Sequence, residues 1–189
     1  MFRLEKAHSQ AQELVAKANS LLSPEVRSSP LQNLDTLVYA SEVSKDARQV
    51  YIKLNILSWE NPQLQALEQT MADFQPLLAR QAITLIKEMV DSTLVLRKKV
   101  EELKNQPYGS QNTASDKMMT YLSKEYNRDL DKCCMLDLGR INQLLGQNRS
   151  TYRSLIEISN NIRRELEGII KDEQAAERLL SRLQKLNID

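Results

Sequence analysis

The sequence has little of what closes a compact, pocketed core. Aromatic residues make up 5% of its 189 positions, and it holds 4 Gly, 5 Pro, 2 Cys, 1 Trp and 1 His. Few turn residues and few large anchors mean few sharp reversals, so long helices joined by few linkers are expected. No run of β-branched residues alternating with polar ones is long enough for a strand.

The single histidine, His8, removes two classes of chemistry. A zinc site needs several Cys or His at set spacings, and the adjacent Cys133 and Cys134 do not supply one. A Ser-His-Asp or Cys-His arrangement would depend on His8, near a chain end that frays. Neither GxxxxGK[ST] nor GxGxxG occurs. Carboxylate pairs such as Glu101-Glu102 and Asp172-Glu173 read as solvated helix faces. The chain is therefore expected to be no enzyme and to carry no cofactor and no metal.

An excess of one charge is also missing: Lys+Arg 26 against Asp+Glu 25. That excludes the electrostatic footprint of a nucleic-acid binder, and Arg97-Lys98-Lys99 is followed at once by Glu101 and Glu102. No apolar run approaches the roughly 18 residues that span a bilayer. The first residues, Met1 to Lys6, lack an apolar signal core. Cys133 and Cys134, adjacent on a helix, point apart and suit a reducing compartment. A cytosolic or nuclear location is expected.

What the chain does have is a sustained 3,4 alternation near its end. From Leu138 the steps land on Ile141, Leu145, Asn148, Tyr152, Leu155, Ser159, Ile162, Leu166, Ile169, Glu173, Ala176, Leu180 and Leu183. The residues between are mostly charged or amides. This is the seam of a coiled coil, narrow and held on one face. Asn148, Ser159 and Glu173 are polar seam positions that would either fix register or lie where the seam is exposed.

The rest reads as shorter helices. The first spans about 2–22, with Leu4, Ala7, Ala11, Leu14, Ala18 and Leu21 in the 3,4 frame, and ends at Ser23-Pro24. The second spans about 31–58, with a stripe through Ala40, Val43, Ala47, Val50, Leu54 and Leu57 wide enough to touch more than one neighbour. Trp59 to Pro62 is a joint with Trp59 packing a corner; Asn61 is placed to cap the third helix, and Pro62 to open it. That helix runs to about residue 105, with a kink at Pro76. Gln106–Ser115, with Pro107 and Gly109, is expected as an exposed loop. A single helix then covers about 116–187, because the 3,4 phase continues across Gly139 and Gly146.

The expected architecture is thus all-α: an elongated helical bundle or coiled coil of about four helices, the last very long. Its expected regions are an N-terminal bundle over 1–105, a loop over 106–115 and a coiled-coil helix over 116–189. The expected interface is Leu138, Ile141, Leu145, Asn148, Tyr152, Leu155, Ile162, Leu166, Ile169, Leu180 and Leu183. Its expected partners are other coiled-coil subunits in a hetero-oligomer. The expected function is that of a non-catalytic structural subunit of a spindle, kinetochore, cytoskeletal or tethering assembly. The alternative is a self-contained helical adaptor that binds a regulatory protein, such as a small GTPase, or an amphipathic peptide.

Overall fold

The structure, a computed structural model, describes residues 2–54, 61–105, 112–186 and 188. Every element is helical, and no strand occurs among the described residues. Trp59, Leu57 and residues 106–111 of the expected loop lie outside them. The chain forms two compact units: Met1–Leu78 with Gln143–Gln147, and Ala79–Asn142 with Asn148–Asp189.

The first unit is built on α1 (Phe2–Leu21), α3 (Leu34–Lys53) and α4 (Pro62–Asp73), with a short α2 (Pro24–Ser28) and a 3-10 turn (Pro30–Gln32) between α1 and α3. Ala11, Val15, Ala18 and Leu22 form the buried stripe of α1 and of the turn that follows it. The expected frame is therefore rotated: Leu14 and Leu21 are half-buried and Leu4 is 59% exposed. α3 buries Leu37, Ala40, Ala47 and Tyr51, and also Ser41 and Ser44, so its covered face is broad. Alanines on both helices let their backbones approach closely.

Pairings across the helices fix their directions. Lys17 Nζ meets the Tyr39 hydroxyl at 2.5 Å, and the His8 ring stands edge-on to Tyr51 at 6.0 Å, so α1 and α3 are antiparallel. Arg48 donates Nε and Nη2 to the two Glu68 carboxylate oxygens at 2.7 and 2.5 Å, tying α3 to α4. The linker after α1 holds more helix than its prolines suggest. Ser23 takes the extended backbone that Pro24 demands (φ −57°, ψ 161°) and accepts from the Val26 amide at 3.3 Å, capping α2. Asn61 likewise accepts from the Leu64 amide at 2.9 Å and caps α4, with Pro62 at its first position.

α4 stops at Asp73 and α5 (Gln75–Lys104) starts two residues later, with Pro76 in its first turn. There the missing amide has no ladder partner to lose. The second unit combines α5 from Ala79 onward with α6 (Asn112–Leu130), a π turn (Asp131–Met135), α7 (Leu136–Leu145) up to Asn142, α8 (Arg149–Asn160), α9 (Ile162–Lys171) and α10 (Gln174–Gln184). The π turn answers a local problem of periodicity. The apolar residues Leu130, Cys134 and Leu138 are spaced by four, so in an α-helix of 3.6 residues per turn they rotate off the face. One wider turn takes up the drift, and all three are buried.

The single helix expected over 116–187 is not formed. Asn142 Nδ2 donates to Asn160 Oδ1 at 2.6 Å. Eighteen residues of straight helix would separate them by roughly 27 Å, so the chain reverses between them, at the 3-10 turn Gly146–Asn148. A second reversal follows at Asp172 (φ −143°, ψ 112°), where Arg182 Nη1 reaches back to Glu165 at 2.7 Å. Asn161 (φ −101°, ψ 6°) separates α8 from α9. The physical reason is that the stripe is more stable packed on α5, α6 and α7 than held out along an unsupported rod. A 3,4 count can continue across a short turn without the helix doing so.

Candidate functional site

The residues expected to form an interface are for the most part already covered. Leu138, Ile141, Leu145, Tyr152, Leu155, Ile162, Leu166, Ile169 and Leu183 are buried in the chain itself, and Leu180 is half-buried. Burying such side chains contributes about 1.5–3 kcal/mol each, so the stripe is filled by intramolecular packing. Asn148 is exposed. It stands at the reversal, its Oδ1 accepting the Thr151 and Ser150 hydroxyls at 2.9 and 3.3 Å.

The other polar seam positions have simple solutions. Ser159 is buried and donates its hydroxyl to the Leu155 carbonyl at 2.8 Å, so no partner chain is needed to satisfy it. Glu173 is exposed at the second reversal. Beside it the Asp172 carboxylate accepts Arg178 Nη2 at 2.7 Å and the Gln174 amide at 3.0 Å. Those donors, the guanidinium first, hold the Asp172 pKa below the usual carboxylate range.

A polar linkage inside the second unit escapes any periodicity argument. The Thr93 hydroxyl donates to the Met89 carbonyl at 2.6 Å and is hydrogen-bonded to the Tyr126 hydroxyl, joining α5 to α6. Burial pushes the Tyr126 phenol up, with Thr93 and Arg163 opposing. One helical turn on, Arg97 Nη1 donates to the Ile170 carbonyl at 2.9 Å and pairs with Glu101 at 2.6 Å. The cation sits at the negative end of α9 and satisfies a carbonyl that no helical amide reaches. The sequence signal was an arginine within a charged run, which does not announce a cap to a helix 72 residues away.

Between these elements lies a small cleft of about 120 Å³, floored by Leu96, Leu130, Leu166 and Ile170, with Arg163 and Glu167 at the rim. Arg163 is paired with Asp131. In the first unit, a shallower cleft of about 390 Å³ lies along Leu4, His8, Gln12 and Leu54. Glu5 and Ser9 also line the first-unit cleft with His8, and Ser123 lines the other. No group of His, Cys, Asp and Glu able to hold a metal occurs among the described residues. Cys133 is exposed and Cys134 buried, the latter's thiol pushed up chiefly by burial and also by Glu88. No described helix is long and apolar enough to cross a membrane. Large apolar side chains do reach solvent: Tyr39 and Ile52 in the first unit, and Val95, Met118, Tyr121 and Leu136 in the second.

Compared with known proteins, the chain matches no protein-family model, no curated protein and no solved structure.

Proposed function

We propose that the chain is a non-catalytic helical adaptor, a folded module that works by presenting helix surfaces to another protein. The observation that carries this reading is the burial of Leu155, Ile162, Leu166 and Ile169 within the single chain. A subunit that relied on this stripe for assembly would leave it open until its partner arrived. With the stripe already filled, contact with a regulatory protein or an amphipathic peptide falls to the exposed apolar residues, such as Val95, Tyr121 and Leu136.

The reading is tested on the lone chain. Size-exclusion with light scattering and circular dichroism should give a folded monomer with a cooperative melt. Recovery only as aggregate, or folding only after a second subunit is co-expressed, would reject the adaptor and restore the structural subunit of a hetero-oligomeric coiled coil. Affinity capture with Val95→Ser, Tyr121→Ser and Leu136→Ser together should then lose partners that the unaltered chain retains. Full retention would place the interface elsewhere.

A further inference from the structure

We infer that the turn at Gly146–Asn148 is a hinge through which two copies of this chain exchange α8–α10, forming a domain-swapped dimer. Three observations carry it. First, the reversal uses no residue that compels one: the backbone of Asn148 (φ −122°, ψ 57°) and of Tyr152 (φ −105°, ψ 19°) is non-helical, yet both have negative φ, open to any residue. Gly146 does not occupy the left-handed region, and a Cβ there would meet nothing within 4 Å. No proline follows Pro107 in the sequence. Every hinge residue can therefore enter a straight helix.

Second, the 3,4 phase passes through the turn unbroken, from Leu138, Ile141 and Leu145 to Asn148, Tyr152 and Leu155. A hairpin does not need that continuity. A straightened α7–α8 helix does, because its apolar residues then share one face for a second chain. Third, the contacts that close the hairpin can be made between copies without alteration. Asn142 with Asn160, Asp131 with Arg163, and Arg97 with the α9 carbonyls each join a group before the hinge to one after it. Opening two chains and closing each on the other recovers all of them, so the occupant of an opened hairpin is a second copy of the same chain. What remains is the local cost of the turn against that of a helix, including the Gln147–Ser41 hydrogen bond that the turn makes in the first unit, together with the loss of freedom on association. The inference stands apart from the adaptor reading, which concerns other surfaces.

The test uses the full chain with Cys133→Ser, Cys134→Ala, Asn142→Cys and Asn160→Cys. It is concentrated, warmed to its melting midpoint, cooled, diluted and treated with a short bismaleimide. The expected product is an internal cross-link from dilute samples and a covalent dimer from concentrated ones. Gly146→Ala with Asn148→Ala removes the hydroxyl acceptor of the turn and favours helix. The glycine change alone is worth roughly fivefold per chain, hence roughly 25-fold in the dimerisation constant. Arg149→Pro suits the first position of α8 but breaks a straight helix, and should abolish the dimer. Internal cross-links alone at every concentration, even with Gly146→Ala and Asn148→Ala, would overturn the inference. So would equal dimer yield with Arg149→Pro. Should Arg149→Pro fail to fold by circular dichroism, light scattering of the cysteine-free chain carrying Gly146→Ala and Asn148→Ala decides. A mass twice that of one chain after the same cycle is expected, and monomer alone refutes.

Discussion

Replacing Leu155 and Leu166 by alanine should unfold the second unit without any partner being present. The two side chains are 1% and 3% exposed. Each change removes three carbon groups, a loss of about 2.4 kcal/mol at about 0.8 kcal/mol apiece. The cavity left behind raises the cost to roughly 3–5 kcal/mol per site. Together they approach roughly 6–10 kcal/mol, against the roughly 5–15 kcal/mol that holds a typical domain folded. Urea titration of the lone chain, followed by circular dichroism, should show one single variant with a lowered midpoint and the other likewise. The double variant should have lost a large share of its helix before urea is added. Glu167→Lys, on the exposed side of the same helix, is the control and should shift the midpoint by less than about 0.5 kcal/mol. If both leucine variants melt as the unaltered chain does, the stripe is not packed within the chain, and the folding described for α8 and α9 fails.

Three further outcomes are expected. A thiol reagent should modify Cys133 readily in the folded chain and Cys134 only on unfolding, since burial both shields the latter and raises its pKa; equal rates would contradict this. Asp172 has a depressed pKa in the folded state, so its contribution should be fully present above the usual carboxylate pKa and fade as pH falls through the lowered value. The stability gap between the unaltered chain and Asp172→Asn should therefore be present at neutral pH and close in acid, and a gap that widens in acid would refute the assignment. Arg97→Leu should cost roughly 1–3 kcal/mol by leaving the α9 carbonyl unpaired, with faster amide exchange in the last turn of α9 read by mass spectrometry.

Much of the helical layout is legible in the sequence because particular residues leave no choice. Asn61 before Pro62 marks a helix start and Pro24 ends α1, whereas Pro76, expected as a kink inside one helix, stands in the first turn of α5. The reversals at Gly146–Asn148 and at Asp172, and the break at Asn161, are not legible in the same way. They are built from residues that tolerate both helix and turn, so tertiary packing decides between them, and the periodicity runs on regardless. Asn160-Asn161 and Gly146-Gln147-Asn148 carry a weak signal, since side-chain amides near helix ends bond the last carbonyls; Asn161 Nδ2 donates to the Glu157 carbonyl at 2.8 Å, beside the Asn161 backbone amide at 3.2 Å. Most of the residues expected to form an interface are covered by helices of the same chain, while Asn148 is exposed and Leu180 half-buried. Arg97 and the Thr93–Tyr126 bond depend on contacts between distant segments, which no local spacing encodes.

Whether the stripe closes on its own chain reduces to one distance. Nitroxide labels at Gly139→Cys and Arg164→Cys, both exposed positions, in a chain with Cys133→Ser and Cys134→Ala, can be measured by double electron–electron resonance on a dilute monomer. A hairpin closed by Asn142 and Asn160 brings α7 and the start of α9 within packing range, so backbones roughly 10 Å apart and a label separation well under about 25 Å are expected. A straight helix would hold the same two backbone positions roughly 37 Å apart, and a single distribution centred there would contradict the fold at its main reversal.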